Sequence, residues 1–366
     1  MKKIKVLVFG LSDNYGGMEA YVYNSYKHMD KDKIQFDFID TTPNGSEMAY
    51  AKEYKKMNSR IYKITKRSVD WRKSNKDITQ ILKNNKYDYI HLHVMNFMWW
   101  EPITLAYKYS SAKIIVHSHT SRIDYNHFLK NLILDSIGRF KVRKIKYLCL
   151  ACGEDAGKYL FKNKPFIVME NGINIKKYSF NEKNREKIRA EFKIDNDCTL
   201  FGHIGNFYVA KNYPKLLDIF NEYIKLDKKA KLILVGNYNN DPSVQKRVQE
   251  MKLENNVIFA GLRNDVNELY SAFDIFLFPS FYEGLSISMI EAQIAGLKCF
   301  ASNTIDKKTK ITENVSFIDI TANSKNLAEF IYENYKKTNR NKIAFDEKYD
   351  VINSSQKLEK FYEGEI

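Results

Sequence analysis

Short apolar runs alternate with helical patterns along almost the entire chain, and that alternation admits few architectures. Strands are expected at Lys3–Leu11, Ile34–Ile39, Arg60–Ile64, Tyr87–His93, Ala112–His117, Tyr147–Ala151 and Phe166–Met169, with helical patterns between most of them. Strands separated by helices do not pair as hairpins; they line up in parallel, and the helices cover the faces of the sheet. The first run ends in SDNYGGME before an amphipathic helix, as a doubly wound α/β domain begins. Gly16-Gly17 falls short of G-x-G-x-x-G, so the dinucleotide fingerprint is absent. From Gly172 a polar, charged link, GINIKKYSFNEKNREKIRAEFKIDND, separates this pattern from a second one. There the strands are Thr199–Ile204, Lys231–Val235, Val257–Ala260 and Asp274–Phe278, with helices over 213–226 and 243–252. A chain of 366 residues is long enough for two such domains, each burying its own core.

In Phe278–Gln293, FPSFYEGLSISMIEAQ, strand chemistry hands over to helix chemistry. The run Ile275–Phe278 is closed by Pro279, an irregular stretch carries Glu283 and Gly284, and Ser286–Ala295 reads as a helix. Glu283 then lies just ahead of a helix N-terminus and Glu291 about two turns inside it, near free N–H groups and a dipole that favour an anion. Two acids on one helix differ from a glycosidase pair, which flanks a bond from separate elements. A carboxylate in a cleft instead accepts two hydrogen bonds from a vicinal diol, as on a ribose or hexose ring. Alone, the spacing is far more often met as a turn residue followed by an exposed helix residue.

The neighbourhood is more specific. FPSFYEGLSISMIEAQIAGLKCFAS resembles the donor-binding signature of the retaining GT-B glycosyltransferases of family 4, above all the bacterial capsular and exopolysaccharide members. The resemblance implies that Glu283 contacts the donor sugar, that Gly284 and Leu285 offer backbone N–H groups to sugar and phosphates, and that Glu291 binds the nucleotide ribose. GHIGNFYVAKN, from Gly202, is similar to the family segment that places a lysine, here Lys211, on the donor pyrophosphate. Leu234-Val235-Gly236 resembles the next strand and loop, and Gly261–Val266, with Arg263, resembles a turn whose backbone touches the base. By the same resemblance Gly16 and Gly17 approach the donor phosphates and the acceptor. His119, just past a strand, contacts the donor sugar or phosphate, and His117 is a second candidate. One position departs from the pattern: Asn206 stands where the family usually has Arg, so a bidentate phosphate donor is missing.

The net charge of +15 is unevenly spread. Residues 1–200 hold 37 Lys/Arg against 22 Asp/Glu, residues 201–366 hold 22 of each, and residues 51–150 alone hold 21 against 7. An electropositive region implies an anionic partner: acidic lipid, a pyrophosphate-linked acceptor or nucleic acid. No recognised nucleic-acid module accompanies it, so nucleic acid is not expected. Asn126–Lys146 reads as a helix with Leu129, Ile133, Ile137 and Phe140 on one stripe and Arg139, Lys141, Arg143, Lys144 and Lys146 towards its end. This is either a core helix with a solvated end or a patch for anionic headgroups on the inner face of a membrane; Trp99 and Trp100 could assist there, although buried packing suits them better. No apolar run approaches the ~20 residues that span a bilayer. A cytoplasmic protein, peripheral on the membrane, is therefore expected.

His91-Leu92-His93 and His117-Ser118-His119 end two strands, where an open α/β sheet places its ligand crevice, although alternate histidines also suit any polar strand end. Cys149 and Cys152 point to opposite faces of a strand and lack a second pair at ligand spacing. Asp195-Asn196-Asp197 reads as linker. No metal site is expected, and no cofactor beyond a nucleotide-sugar co-substrate.

These features imply an α/β chain of two doubly wound Rossmann-like domains facing a central cleft: an acceptor-binding domain over 1–185, a nucleotide-sugar-binding domain over 186–345, and a final helix in 346–366 crossing back to the first. The implied reaction is metal-independent transfer, with retention, of a hexose or N-acetylhexosamine from a nucleotide donor, expected to be UDP-linked, to a saccharide or lipid-linked saccharide in surface polysaccharide synthesis. Glu283, Lys211 and His119 are the catalytic candidates. The alternatives are a non-catalytic partner or glycan-binding subunit, which Asn206 keeps open, and a sugar-nucleotide epimerase of the same fold, against which the E-G-L…E-A-Q signature argues.

Overall fold

A computed structural model describes residues 3–366 apart from 44, 121–127, 284–285, 336–339 and 341–348. The chain forms two compact units, Met1–Ile173 with Glu347–Ile366, and Asn174–Asp346.

The first unit is built on seven parallel strands: β1 Ile4–Phe9, β2 Ile34–Asp40, β3 Ile61–Lys63, β4 Tyr89–Val94, β5 Lys113–Ser118, β6 Leu148–Ala151 and β7 Ile167–Val168. Their order is β3-β2-β1-β4-β5-β6-β7, so the winding reverses between β1 and β4. Side chains alternate across the sheet. Val6, Val8, Phe36 and Phe38 feed one core with Tyr26 and Tyr54, while Leu7, Phe9, Ile90, Leu92 and Val116 feed the other. Burial on both faces explains why these strands read as apolar runs rather than as alternating patterns. The pairing registers His93 opposite His117, which brings the two histidine pairs side by side.

The last helix, Val351–Glu363, starts at Asp350, whose side chain accepts from the Ile352 N–H. It packs beside helix Gly17–His28, and its Leu358, Phe361 and Tyr362 complete the Val6/Val8 core. Tyr89 Oη donates to the Tyr362 carbonyl at 2.9 Å.

The second unit has six parallel strands: β8 Leu200–Ile204, β9 Lys231–Val235, β10 Val257–Gly261, β11 Ile275–Phe278, β12 Lys298–Ser302 and β13 Val315–Ile318. The order β10-β9-β8-β11-β12-β13 repeats the winding of the first sheet, with its reversal between β8 and β11. Ligands of open α/β sheets bind outside the carboxyl ends of the strands at such a reversal. Each unit therefore has one favoured place for a site.

The units change at Ile173/Asn174 and not after residue 185. The link is folded, and helix Glu182–Glu191 belongs to the second unit. Arg185 and Arg189 reach Asp274 at 2.7 and 3.2 Å, and Arg189 also donates to the carbonyls of Asp195 and Cys198. Helix 126–146 is observed as Phe128–Val142, with Asn126 outside the described residues. Its stripe does not face a core: Ile133, Ile137 and Phe140 are exposed, and so is Leu132. Arg139 turns inward to Asp135, at 2.6 Å, away from the basic cluster. Among the described residues no helix is long and apolar enough to cross a membrane.

Candidate functional site

In the second unit the loops after β8 and β11 are tied together beyond the strand ends. Asn212, held in the left-handed region at φ 53°, donates through Nδ2 to the Pro279 carbonyl at 3.0 Å, and the Phe281 N–H donates to Ala210 O at 2.8 Å. These ties bring Lys211, from the first loop, to 2.8 Å from Glu283, from the second. The lysine stem crosses Gly205, where a Cβ would lie 2.9 Å from Lys211 Cε. Its ammonium stands 4.6 Å from the centroid of the Phe278 ring. Gly236 has φ +143°, and a Cβ there would meet the Gly205 carbonyl oxygen at 2.1 Å, so the loop after β9 closes against this corner only as glycine.

Helix Ile287–Ile294 begins directly after this corner. Ser286 turns its hydroxyl to Ser288 Oγ at 3.2 Å and makes no side-chain cap, which leaves the first N–H groups of the helix unclaimed by its own cap residue. Glu291 is the fifth residue of that helix. It is one turn from the N-terminus rather than two, because the helix starts at Ile287. Tyr270 Oη donates to Glu291 Oε2 at 3.0 Å, and Tyr178 adds a second side-chain hydrogen bond. Burial nonetheless dominates and pushes the Glu291 carboxyl up to about 7. Gly284 and Leu285 lie outside the described residues.

The remaining candidates of this unit are not all free to bind. Arg263 is held by Glu191 at 2.5 and 3.0 Å and by Asp265 at 2.8 and 2.6 Å. Its guanidinium is thus committed within the protein, and what the turn offers is backbone. Asn206 is exposed at the start of the loop that follows β8. Asp197, of the Asp195-Asn196-Asp197 stretch, is an exposed residue ion-paired to Lys229.

In the first unit Gly16 ends the β1 loop and precedes helix Gly17–His28 without a side-chain cap. Buried Glu19 shapes this loop, accepting from Ser12 N at 3.1 Å and Ser12 Oγ at 2.7 Å. A Cβ on Gly16 would meet Glu19 Oε2 at 2.8 Å. Sequence reasoning had the Gly-Gly-Met-Glu motif in view but gave Glu19 no role.

His91, His93, His117 and His119 share one face of β4, β5 and the turn that follows. His91 Nε2 lies 3.2 Å from His117 Nδ1, and His93 Nδ1 lies 2.8 Å from His119 Nε2. Rings of the same strand stack, at 4.2 Å for His91/His93 and 4.4 Å for His117/His119. Tyr362, from the last helix, closes the inner end, its hydroxyl 2.5 Å from His91 Nδ1. Burial pushes His91 and His119 down to about 3, and burial with the neighbouring rings lowers His93 and His117 as well. All four are neutral at physiological pH. No local sequence signal points to Tyr362.

Two doubly wound parallel-sheet units, each with polar groups gathered at its switch point, make up the chain. The sequence profile described as Glycosyltransferase Family 4 matches residues 15–177, and that of Glycosyl transferases group 1 matches residues 184–344. The chain belongs to this glycosyltransferase family. It is 29% identical over 309 residues to EpsF of Bacillus subtilis (strain 168), itself assigned as a glycosyltransferase only provisionally, covering 81% of this chain and 78% of that one. It is 24% identical over 310 residues to the capsular polysaccharide biosynthesis glycosyltransferase CapH of Staphylococcus aureus, covering 82% and 81%. In fold it is similar to Anabaena HepE, crystallised with UDP and glucose, at TM-score 0.76 and 16% identity over 99% of this chain and 100% of that one. A glycosyltransferase from Rickettsia africae is as similar, at TM-score 0.76 and 17% identity over 100% and 99%. The two parallel-sheet α/β domains are those of GT-B enzymes, and the family's function is glycosyl transfer.

Proposed function

We propose that this glycosyltransferase moves a hexose or N-acetylhexosamine from a UDP-linked donor, held by the second unit, to a hydroxyl of a saccharide or lipid-linked saccharide, with retention and without a metal ion. The observation that carries this reading is the Lys211–Glu283 pair at the mouth of an uncapped helix N-terminus, with Glu291 one turn further in. A diphosphate meets the Lys211 ammonium and helix N–H groups, both of which stabilise charge that grows as the leaving group departs. Glu283, once released from Lys211, accepts hydrogen bonds from sugar hydroxyls, and Glu291 accepts from the ribose diol. The departing phosphate takes the acceptor proton. UDP as the nucleotide is supported by the UDP bound in HepE.

The acceptor is assigned to the basic first unit, at an anionic membrane surface on the cytoplasmic side. Helix Phe128–Val142 supports this. Leu132, Ile133, Ile137 and Phe140 are 40, 60, 41 and 58% exposed, beside exposed Lys130, Lys141, Arg143 and Lys144. An apolar stripe rimmed by cations suits a headgroup boundary, at ~1 kcal/mol per basic residue near the surface.

Calorimetric titration of UDP and a panel of UDP-sugars into wild type and Glu291→Ala, without added metal, tests the donor site. Micromolar UDP binding that the substitution abolishes is expected. No binding of any nucleotide would favour a non-catalytic partner, the reading that Asn206 in place of an arginine supports.

A further inference from the structure

Two loops of the first unit meet beyond the carboxyl ends of β1 and β2. The β1 loop leaves its strand against β4, since a Cβ on Gly10 would lie 2.0 Å from the His93 carbonyl oxygen. Buried Glu19 grips Ser12 of this loop, and the Ser12 carbonyl accepts from the Ala49 N–H of the β2 loop at 2.8 Å. Lys63 holds the β2 loop in turn, its ammonium donating to Thr42 Oγ1, Pro43 O and Ser46 O at 2.6, 3.1 and 2.7 Å. These ties set Tyr15 and Tyr50 edge to face, with ring centroids 4.9 Å apart and planes at 77°. Behind them the aromatic contacts run into the core. Tyr50 stacks on Tyr23 at 4.2 Å and 1°, Tyr23 meets Tyr54 at 6.1 Å, and buried Tyr54 lies on Phe38 at 4.0 Å. Packing within the unit does not account for two features of this corner. Tyr15, at its outer end, is 74% exposed. Tyr50 holds φ 60° and ψ 17°, a left-handed backbone that is a steric outlier for so bulky a residue. Strain of this kind persists where the surroundings over-determine it, and it clusters at ligand sites.

We propose that the Tyr15–Tyr50 corner is a stacking subsite for one pyranose ring, the ring of the saccharide that accepts the transferred sugar. A pyranose presents a face of axial C–H groups that packs on an aromatic ring, while its hydroxyls leave at the rim toward polar neighbours. Tyr15 supplies the open ring and Tyr50 the wall that holds it upright. Asp13 and Asn14, exposed on the same loop, are hydrogen-bonding neighbours for the rim hydroxyls. Burial, aided by Tyr15, Tyr23, Glu19 and Glu53, pushes the Tyr50 phenol up to about 12, so its hydroxyl stays neutral. An acyclic polyol has no flat C–H face to offer this corner, and an acyl chain has no hydroxyls for its polar rim. That the stacked ring belongs to the acceptor rests on the transfer reaction proposed above, whereas the stacking itself does not.

Saturation-transfer NMR on the full chain tests this with the methyl glycosides of glucose, galactose and N-acetylglucosamine as probes and sorbitol as the acyclic control. Wild type is expected to saturate the ring protons of at least one glycoside and to leave sorbitol silent. Tyr15→Ala, at a position too exposed for its loss to threaten folding, should weaken that binding at least about fivefold, and Tyr15→Trp should retain it. Tyr50→Asn removes the supporting ring with a residue that accepts the left-handed backbone, and should weaken binding as well. UDP affinity, measured by calorimetry, should be the same in Tyr15→Ala as in wild type. Silence of all three glycosides in wild type, an equal signal from sorbitol, glycoside binding unchanged in Tyr15→Ala or Tyr50→Asn, or UDP affinity lost in Tyr15→Ala overturns the subsite. A wild type that binds a glycoside through Tyr15 but no nucleotide keeps the stacking and overturns its assignment to the acceptor together with the donor-site reading, so the two failures are told apart.

Discussion

Lys211 and Glu283, carried by loops from two neighbouring strands, neutralise each other at 2.8 Å in the second unit. Their side chains are 15 and 19% exposed, so the pair is neither sealed in the core nor fully screened by water. On the proposed reading a diphosphate, which offers Lys211 more charge than one carboxylate does, would free Glu283 for the sugar. Lys211→Ala and Glu283→Gln should each lower kcat by about 100-fold or more, while the cost in stability stays near 1 kcal/mol because solvent reaches the pair. Steady-state kinetics with thermal unfolding checks both, and near-normal rates in both variants would remove these residues from the mechanism.

Burial of Glu291 gives the proposed donor site a pH dependence whose sign follows from the raised carboxyl. Its carboxyl is raised to about 7 in the folded chain, so the native state holds a proton that the unfolded state releases near 4.5. Stability contributed by this group is therefore present at low pH and lost as pH rises from about 4.5 to 7, by up to about 3 kcal/mol. Glu291→Gln should flatten that part of a denaturation-against-pH curve. A ribose diol needs the carboxylate as acceptor, so UDP binding should strengthen as pH rises through 7, with proton release measurable by calorimetry in buffers of different ionisation enthalpy. Binding that is equally tight at pH 6 and pH 8 would show that the diol does not meet Glu291.

The exposed stripe of helix Phe128–Val142 separates charge from apolar insertion. Ile133→Asp with Phe140→Asp should abolish sedimentation with anionic vesicles at all ionic strengths, while Lys141→Gln with Lys144→Gln should weaken it chiefly at low salt. Vesicle binding unaffected by the aspartates would rule out this helix as the contact.

Arg340 carries a structural prediction. Its guanidinium donates to the carbonyls of Tyr270, Ser271, Phe273 and Ala295 at 2.7–3.0 Å, and it stands 4.3 Å from the Phe180 ring. These carbonyls belong to the C-terminal ends of helices Val266–Ala272 and Ile287–Ile294, or directly follow one. Burial lowers the arginine to about 9. Arg340→Met should destabilise the second unit by about 3 kcal/mol, since it takes the guanidinium donor from the Tyr270 and Ala295 carbonyls, while Arg185 still reaches those of Ser271 and Phe273, and should loosen the Glu291 helix enough to weaken UDP binding. Chemical denaturation measures the first effect, and an unchanged midpoint would refute it.

The strands and the Glu283–Glu291 segment were legible because their signals are local: apolar runs, a closing proline, and acids at fixed spacing. Side-chain direction was not. The Ile133/Ile137/Phe140 stripe has the period of a core face, yet periodicity does not say which side of a helix meets protein. Arg263 looked available for binding until Glu191, from a helix far earlier in the chain, was found to hold it. The domain boundary moved because Arg185 and Arg189, which read as linker charge, reach Asp274. Tyr362 was invisible for the same reason: its partner His91 is 271 residues away.

That last contact also sets an order of assembly. Leu358, Phe361 and Tyr362 complete the core of a unit whose strands all precede Asn174, and the residues between form a unit of their own. They are made after the whole second unit, so the Val6/Val8 core and the cover over His91 are completed only once that unit has been synthesised.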